Sequence, residues 1–184
     1  FFSKKGFKIL GIDNNTRKFF FCKDGDITWV KKKLKKNLKN YSHFNLDIRN
    51  YNSLKKIFKK YKKKIKVIIH SAAQPSHDWA KDKPFIDFDI NAKGTLNLLE
   101  AARKHSIELF VQTSTSEVYG SAQYVPIDED HPLNAQSPYA ASKVAGDQLA
   151  LSYFRAFNLP VMVLRPFNTF GPRQSPRAII PTII

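Results

Sequence analysis

Tyr139 and Lys143 stand four residues apart in Tyr139-Ala140-Ala141-Ser142-Lys143, a spacing that on a helix puts a phenol and an ammonium on one face. A phenol titrating near its ordinary value of about 10 is a poor base at neutral pH, and a cation within about 4–6 Å pulls that value down. The pair could then take the proton of a substrate hydroxyl while hydride leaves the same carbon. A tyrosine and a lysine at this spacing also recur by chance on many helices. Upstream lies Thr113-Ser114-Thr115-Ser116-Glu117-Val118-Tyr119-Gly120, a run of hydroxyls closed by a carboxylate, with Tyr139 following Tyr119 by 20 residues. Glu117 reads either as a second base or as a carboxylate capping nearby backbone.

Such groups need a frame that brings them to one edge. Four apolar runs, Phe7–Ile12, Ile65–His70, Ile107–Thr113 and Pro160–Arg165, read as buried parallel strands. Helical patterns fill the intervals: Ser53–Lys63, then Phe85–His105 with Leu96, Leu99 and Ala102 on one face, then Pro138–Phe157. Ser137 followed by Pro138 suits the cap and first turn of the last helix. Strands alternating with helices of this length predict an α/β domain, a doubly wound parallel sheet of the Rossmann type. Ligands of such sheets bind at the carboxyl ends of the strands, where the Thr113–Gly120 run falls.

That fold opens with a strand and a Gly-rich pyrophosphate turn. Neither is in the chain, which is expected to begin at the tail of the first crossover helix, with Phe7–Ile12 as the second strand. The whole of residues 1–184 then reads as a partial dinucleotide-binding domain, with residues 166–184 leading into a substrate lobe. Asp13 ends the second strand. An acid there accepts from adenosine ribose hydroxyls and repels a 2′-phosphate, favouring NAD over NADP; it reads equally as a turn residue.

With 42% apolar and 25% charged residues, the chain has the balance of one globular domain. No stretch of about 18 uncharged apolar residues exists and the start lacks a secretory signal, so a soluble cytoplasmic protein without membrane association is expected. The net charge of +16 is unevenly placed. Residues 1–66 carry 21 Lys/Arg against 4 Asp/Glu, and the remainder 10 against 11. Lys31–Lys36 and Lys55–Lys64 hold most of it, and in the second Leu54, Ile57, Phe58 and Tyr61 recur at helical spacing, which assigns the lysines to a solvated face and argues against a nucleic-acid footprint. Cys22 is the single cysteine and has no partner for a disulfide or metal site. His70 and His77 read as structural, and no metal is expected. Trp79, Phe85 and Phe88 read as core or helix-packing residues, with a dimer surface as the other option.

Taken in order, these motifs resemble the sugar-nucleotide branch of the extended short-chain dehydrogenase/reductases, the NAD-dependent epimerase/dehydratases, over nearly the whole chain. The resemblance rests on the Thr113–Gly120 cluster and the Tyr139/Lys143 pair, and on Asp47-Ile48, His70-Ser71-Ala72-Ala73-Gln74, Asn91-x-x-Gly94-Thr95 and Arg165-Pro166-Phe167-Asn168-x-x-Gly171-Pro172. It implies cofactor contacts from Asp13, Asn14, Asp47, Ile48, Ala72, Ala73, Gln74, Asn91, Ser114, Tyr139, Lys143 and Phe167. It implies substrate contacts from Ser116, Asn168 and Arg173, the last with Arg177 reading either as a diphosphate partner or as a solvated loop residue. Residues 10–100 are similar to the CDP-paratose/CDP-tyvelose 2-epimerases. From Thr113 onward the chain is similar to the nucleotide-sugar 4,6-dehydratases.

For a dehydratase, the resemblance implies the following cycle on a nucleotide-diphosphate sugar. Tyr139 takes the C4 hydroxyl proton as hydride passes to NAD, Thr115 bonds the same oxygen, and Lys143 holds the ribose and tunes Tyr139. Glu117 removes the C5 proton, water leaves from C6, and hydride returns to C6. Many hexose dehydratases carry Asp-Glu where this chain has Ser116-Glu117, and the Ser-Glu form also serves other reactions. A 2- or 4-epimerase is the alternative, and a non-catalytic basic binding module the third. Relatives commonly pair through helix faces, so a homodimer is expected. The chain alone, short of the pyrophosphate turn and most of the substrate lobe, is expected to be inactive.

Overall fold

The computed structural model describes residues 1–171 and Ile183. The described chain divides into two compact units, Phe1–Asp47 with Phe170 and Gly171, and Ile48–Thr169. No helix among the described residues is long and apolar enough to cross a membrane.

In the first unit, β1 (Ile9–Ile12) pairs in parallel with β2 (Tyr41–Phe44), Ile9 opposite Tyr41 and Ile12 opposite Phe44. Between them run α1 (Arg17–Phe21) and α2 (Thr28–Asn37). Asp13 turns the chain out of β1: its Oδ1 accepts from the Asn15 amide at 2.6 Å, a local turn closed by a side chain. Asn15, at φ 59°, then receives the Ile27 amide on Oδ1 at 3.0 Å and donates to Asp26 at 3.0 Å. Tyr41–Phe44 is a strand that apolar-run reasoning passes over, because Ser42 and His43 interrupt any apolar run and all four residues are only half-buried.

The second unit carries α3 (Tyr51–Tyr61), β3 (Val67–His70), α4 (His77–Asp82), α5 (Pro84–Phe88), a π-helical turn at Asp89–Lys93, and α6 (Gly94–Arg103). There follow β4 (Leu109–Thr113), a 3₁₀ turn (Ser116–Tyr119), α7 (Pro138–Phe157) and β5 (Val161–Leu164). The three strands are parallel in the order β3-β4-β5, joined by helical crossovers as the alternation demands. Each predicted strand forms, beginning one or two residues inside its apolar run. The long helix expected over 85–105 is instead α5, the π turn and α6.

Packing follows the helical periodicity. Leu54, Ile57 and Phe58 of α3 are buried while Lys55, Lys56, Lys59 and Lys60 face solvent. Leu98, Leu99 and Ala102 of α6 join Phe110 of β4 and Ala150 of α7 in the core. Ser137 Oγ accepts from the Ala140 amide at 3.0 Å and Pro138 occupies the first turn of α7, which Asn158 ends in the left-handed conformation at φ 53°; these are the expected start and stop of a helix. Two expectations are corrected. Phe85 and Phe88 are not core residues, being 87% and 55% exposed, because α5 is a single short turn whose buried residue is Asp87. The strands of the second unit are not buried throughout, since Val67, Ile69, Met162 and Leu164 stand about half exposed on alternate positions.

Leu99 has no exposed surface, so Leu99→Ala is expected to cost about 2–5 kcal/mol of stability by transfer and cavity terms. Phe85→Ala is expected to change stability by less than about 0.5 kcal/mol. Urea denaturation of the two variants beside the parent checks both.

Candidate active site

The second unit gathers the predicted chemistry at the carboxyl ends of β4 and β5. Beyond β4 the chain stays tied to the strand beside it, the Ser114 amide donating to Leu164 O at 2.7 Å and the Ser116 amide to Pro166 O at 3.1 Å. Thr115 then caps the 3₁₀ turn, its Oγ1 accepting from the Glu117 amide at 3.3 Å. Gly120 leaves that turn at φ 65°, and a Cβ there would collide with the Asn134 carbonyl oxygen, which explains the Tyr-Gly ending of the motif. Glu117 is held on the turn with its side chain half exposed.

Tyr139 and Lys143 lie in the first two turns of α7 and both are buried, at 8% and 5% exposure. Lys143 Nζ donates to the Thr113 carbonyl at 2.7 Å, so the ammonium pins the helix to the end of β4. The expectation that Lys143 draws the Tyr139 phenol downward is reversed here. Burial pushes Tyr139 above its ordinary value, Glu117 and Asp87 add to this, and a hydrogen bond with Thr115 opposes it. Burial pushes Lys143 the other way, below its ordinary value, against the pull of Asp147 and Asp87. Desolvation is thus the largest influence on both groups.

His77 belongs to this site, contrary to its reading as structural. Ser76 caps α4, its Oγ accepting from the Trp79 amide at 3.3 Å, and places His77 on the first turn. Its Nε2 lies 3.1 Å from Glu117 Oε1, its Nδ1 3.3 Å from Ser137 Oγ, and its ring meets Tyr139 edge-on at 4.6 Å between centroids. His77, Glu117, Gly120, Ser121, Gln136, Ser137 and Ala140 line a cavity of about 250 Å³. The signal available in sequence was position: His77 follows the loop leaving the carboxyl end of β3.

Other predicted residues serve from behind. Gln74 and Asn91 are buried: Gln74 Nε2 and Asn91 Nδ2 each donate to Asp87 Oδ1 at 3.0 Å, Asn91 Nδ2 also to Ser142 Oγ at 3.0 Å, and Asn91 Oδ1 receives the Gln74 amide at 2.9 Å. This buried network sews the loop after β3 to α5 and α7. Ser114 is also buried, donating to Asp147 Oδ2 at 2.9 Å, to which Arg165 Nε donates at 3.0 Å while Arg165 Nη1 reaches the Tyr119 hydroxyl at 3.1 Å. Ile48 packs against Gly94, and Asn97 Nδ2 holds the Ile48 and Arg49 carbonyls at 3.0 Å each. Ala72, Phe167 and Asn168 are exposed, Ala73 and Ser116 partly so, and Phe167 stacks on Tyr119 at 6.3 Å. In the first unit, Asp13 is exposed and Asn14 Nδ2 donates to Asp47 Oδ2 at 3.0 Å. Arg173 and Arg177 lie outside the described residues. Among the described residues no cluster of three His, Cys, Asp or Glu could hold a metal.

The parallel strands, the flanking helices and this Thr-Glu-Tyr-Lys edge define a short-chain dehydrogenase/reductase of the epimerase/dehydratase class. The family model of GDP-mannose 4,6 dehydratase matches residues 1–184, and the chain belongs to that family. It is 44% identical over 121 residues to the dTDP-glucose 4,6-dehydratase of Streptomyces griseus, covering 64% of this chain and 36% of that protein. It is 34% identical over 180 residues to the UDP-glucuronate 4-epimerase of Thermodesulfobacterium geofontis, covering 96% and 53%. Among solved structures, UDP-glucuronic acid 4-epimerase from Bacillus cereus in complex with UDP-glucuronic acid and NAD superposes with a TM-score of 0.80 at 29% identity, covering 96% of this chain and 54% of that one. The chain thus spans about half or less of the length of these relatives.

His70 is buried at the end of β3, its Nε2 2.9 Å from Thr95 Oγ1, and burial with the Lys143 charge lowers its pKa to about 3. A histidine depressed in the fold binds fewer protons than the unfolded chain between that value and about 6.5, so its contribution to stability is complete above about 6.5 and is lost as pH falls toward 3. His70 is expected to remain neutral at pH 5, which the ring-proton shifts in an NMR titration check. A titration midpoint near 6 would contradict the buried placement.

Proposed function

We propose that the protein to which this chain belongs is an NAD-dependent nucleotide-sugar 4,6-dehydratase. The observation that carries the reading is Glu117, a half-exposed carboxylate on the wall of the cavity that begins at the capped end of α7. A reaction that only oxidises and re-reduces C4 has no use for a second base there; a dehydration must deprotonate C5.

The groups present suit NAD. Asp13 offers an exposed carboxylate at the end of β1, the acceptor that ribose hydroxyls need and a 2′-phosphate would not tolerate. After β3, exposed Ser71 and Ala72 leave backbone uncovered by bulk. NAD supplies, when bound, the acceptor for the C4 hydride and its return to C6. The protein's part is proton handling and orientation. Thr115 and Tyr139 both present hydroxyls for the C4 oxygen, and Tyr139 accepts its proton in the phenolate form, which burial disfavours and which the positive charges of Lys143 and NAD would favour. Lys143, fixed on Thr113 O, holds the phenol's helix and presents positive charge to the ribose. Glu117 takes the C5 proton made acidic by the C4 ketone and gives it to the C6 hydroxyl, which departs as water, and a proton added at C5 as hydride returns to C6 balances the one Tyr139 took from the C4 hydroxyl. Ser116, Asn168 and Arg173 are the proposed contacts of the nucleotide-diphosphate sugar, and the exposed Phe85 and Phe88 support pairing as a homodimer.

The test uses the full-length protein with NAD and UDP-, GDP-, CDP- and dTDP-hexoses, following product mass. The expected product has lost one water. Glu117→Gln is expected to reduce that loss by about 10²–10⁴-fold, and Tyr139→Phe to abolish turnover. A product of unchanged mass and new stereochemistry would replace this reading with a 4-epimerase, the activity of the Thermodesulfobacterium geofontis relative.

A further inference from the structure

Three neutral or charged groups form a line from the cap of α7 to Glu117. A carboxylate oxygen only accepts, so the 3.1 Å contact with Glu117 Oε1 requires a proton on His77 Nε2, and the Ser137 hydroxyl, whose oxygen accepts the Ala140 amide at 3.0 Å, gives its own proton to the unprotonated Nδ1 at 3.3 Å. His77 is itself fixed: Ser76 caps its helix, Gln74 Nε2 donates to the Ser76 carbonyl at 2.8 Å, and the ring rests edge-on against Tyr139 at 4.6 Å.

Resting on the dehydratase reading, we propose that His77 is a positioning residue for Glu117: its Nε2–H occupies Oε1 and turns Oε2 toward the C5 proton. One helix start then sets both bases. Tyr139 rises directly from the first turn of α7, and Glu117 is aimed through Ser137 and His77 from the same cap. The charged and titratable neighbours of His77 are Glu117 on the 3₁₀ turn, Tyr139 on α7, Asp87 on α5, whose carboxyl feels the His77 charge, and Asp78 on its own helix. Asp78 and Asp87 only accept and the Tyr139 hydroxyl makes no hydrogen bond to Oε1, so the imidazole is the group that orients it.

Two substitutions separate aiming from support. His77→Phe keeps a ring against Tyr139 and removes both nitrogens, and His77→Gln keeps a donor near Nε2. In the full-length protein with NAD and the accepted nucleotide hexose in D2O, single-turnover formation of reduced nicotinamide reports C4 oxidation and deuterium uptake at C5 reports the Glu117 step. His77→Phe is expected to slow C5 exchange by up to about 100-fold, the cost of a base misplaced by about 1 Å, with C4 oxidation within about twofold. His77→Gln is expected to recover most of the loss. Equal slowing of both steps by His77→Phe would reduce His77 to a support for Tyr139, and no slowing of either would make the contact idle; each overturns the proposal. Parent protein that oxidises C4 without ever exchanging C5 would sink the dehydratase reading and this inference together, a result seen before any variant is made.

Discussion

The Asp147 carboxylate has no exposed surface, and the geometry of the candidate site depends on how its charge is met. Arg165 donates to it from the end of β5 and Ser114 from the end of β4, while Asp147 itself belongs to α7. Burial pushes the carboxyl upward and the Arg165 and Ser114 hydrogen bonds pull it back. Its second oxygen, Oδ1, has no hydrogen-bond partner among the described residues. A buried pair of this kind adds little net stability against an apolar replacement, yet losing one partner costs about 3–5 kcal/mol. It therefore acts as a constraint: two strand ends and one helix must keep one arrangement, and Thr115 and Glu117 follow Ser114 in chain order. Arg165 extends the constraint to Tyr119 at the far end of the 3₁₀ turn.

A second buried polar network does the same for the other wall. Asp87, Gln74, Asn91 and Ser142 bind one another, and burial raises Asp87 despite its donors. Fully bonded networks of buried polar groups specify one packing because any slip leaves a group unpaired. The consequence is local: the loop after β3 is held against α7, and His77 arrives beside Tyr139 and Glu117. Gln74 and Asn91 thus hold the loop after β3 in place beside α7.

Membership of the family does not separate dehydration from epimerisation, since dehydratases and 4-epimerases are both matched. The Tyr-Lys helix and the Thr115 hydroxyl are what oxidation at C4 needs in either reaction. What differs is the demand for a second base, and the placement of Glu117 at the cavity wall is the feature of this chain that bears on it.

The doubly wound class, four of the five strands and the span of α7 with both of its ends were legible from the residues alone, and the family resemblance pointed to Thr115, Glu117, Tyr139 and Lys143. These features rest on local signals: apolar runs, helical spacing, a Ser-Pro start, hydroxyl and acid types at a strand end. β2 and the short helices were not legible, because half-buried alternation and single turns carry little period. Tertiary structure decided the rest. It set the direction of the Tyr139 shift, since desolvation depends on what covers a group and not on its neighbours in sequence. It exposed Phe85 and Phe88 by giving the buried side of α5 to Asp87, and turned Gln74 and Asn91 inward. It also brought His77 to Glu117 across 40 positions of chain, a meeting of two side chains from different elements that no spacing rule encodes, because the packing of α4 and of the 3₁₀ turn against α7 fixes the distance between them.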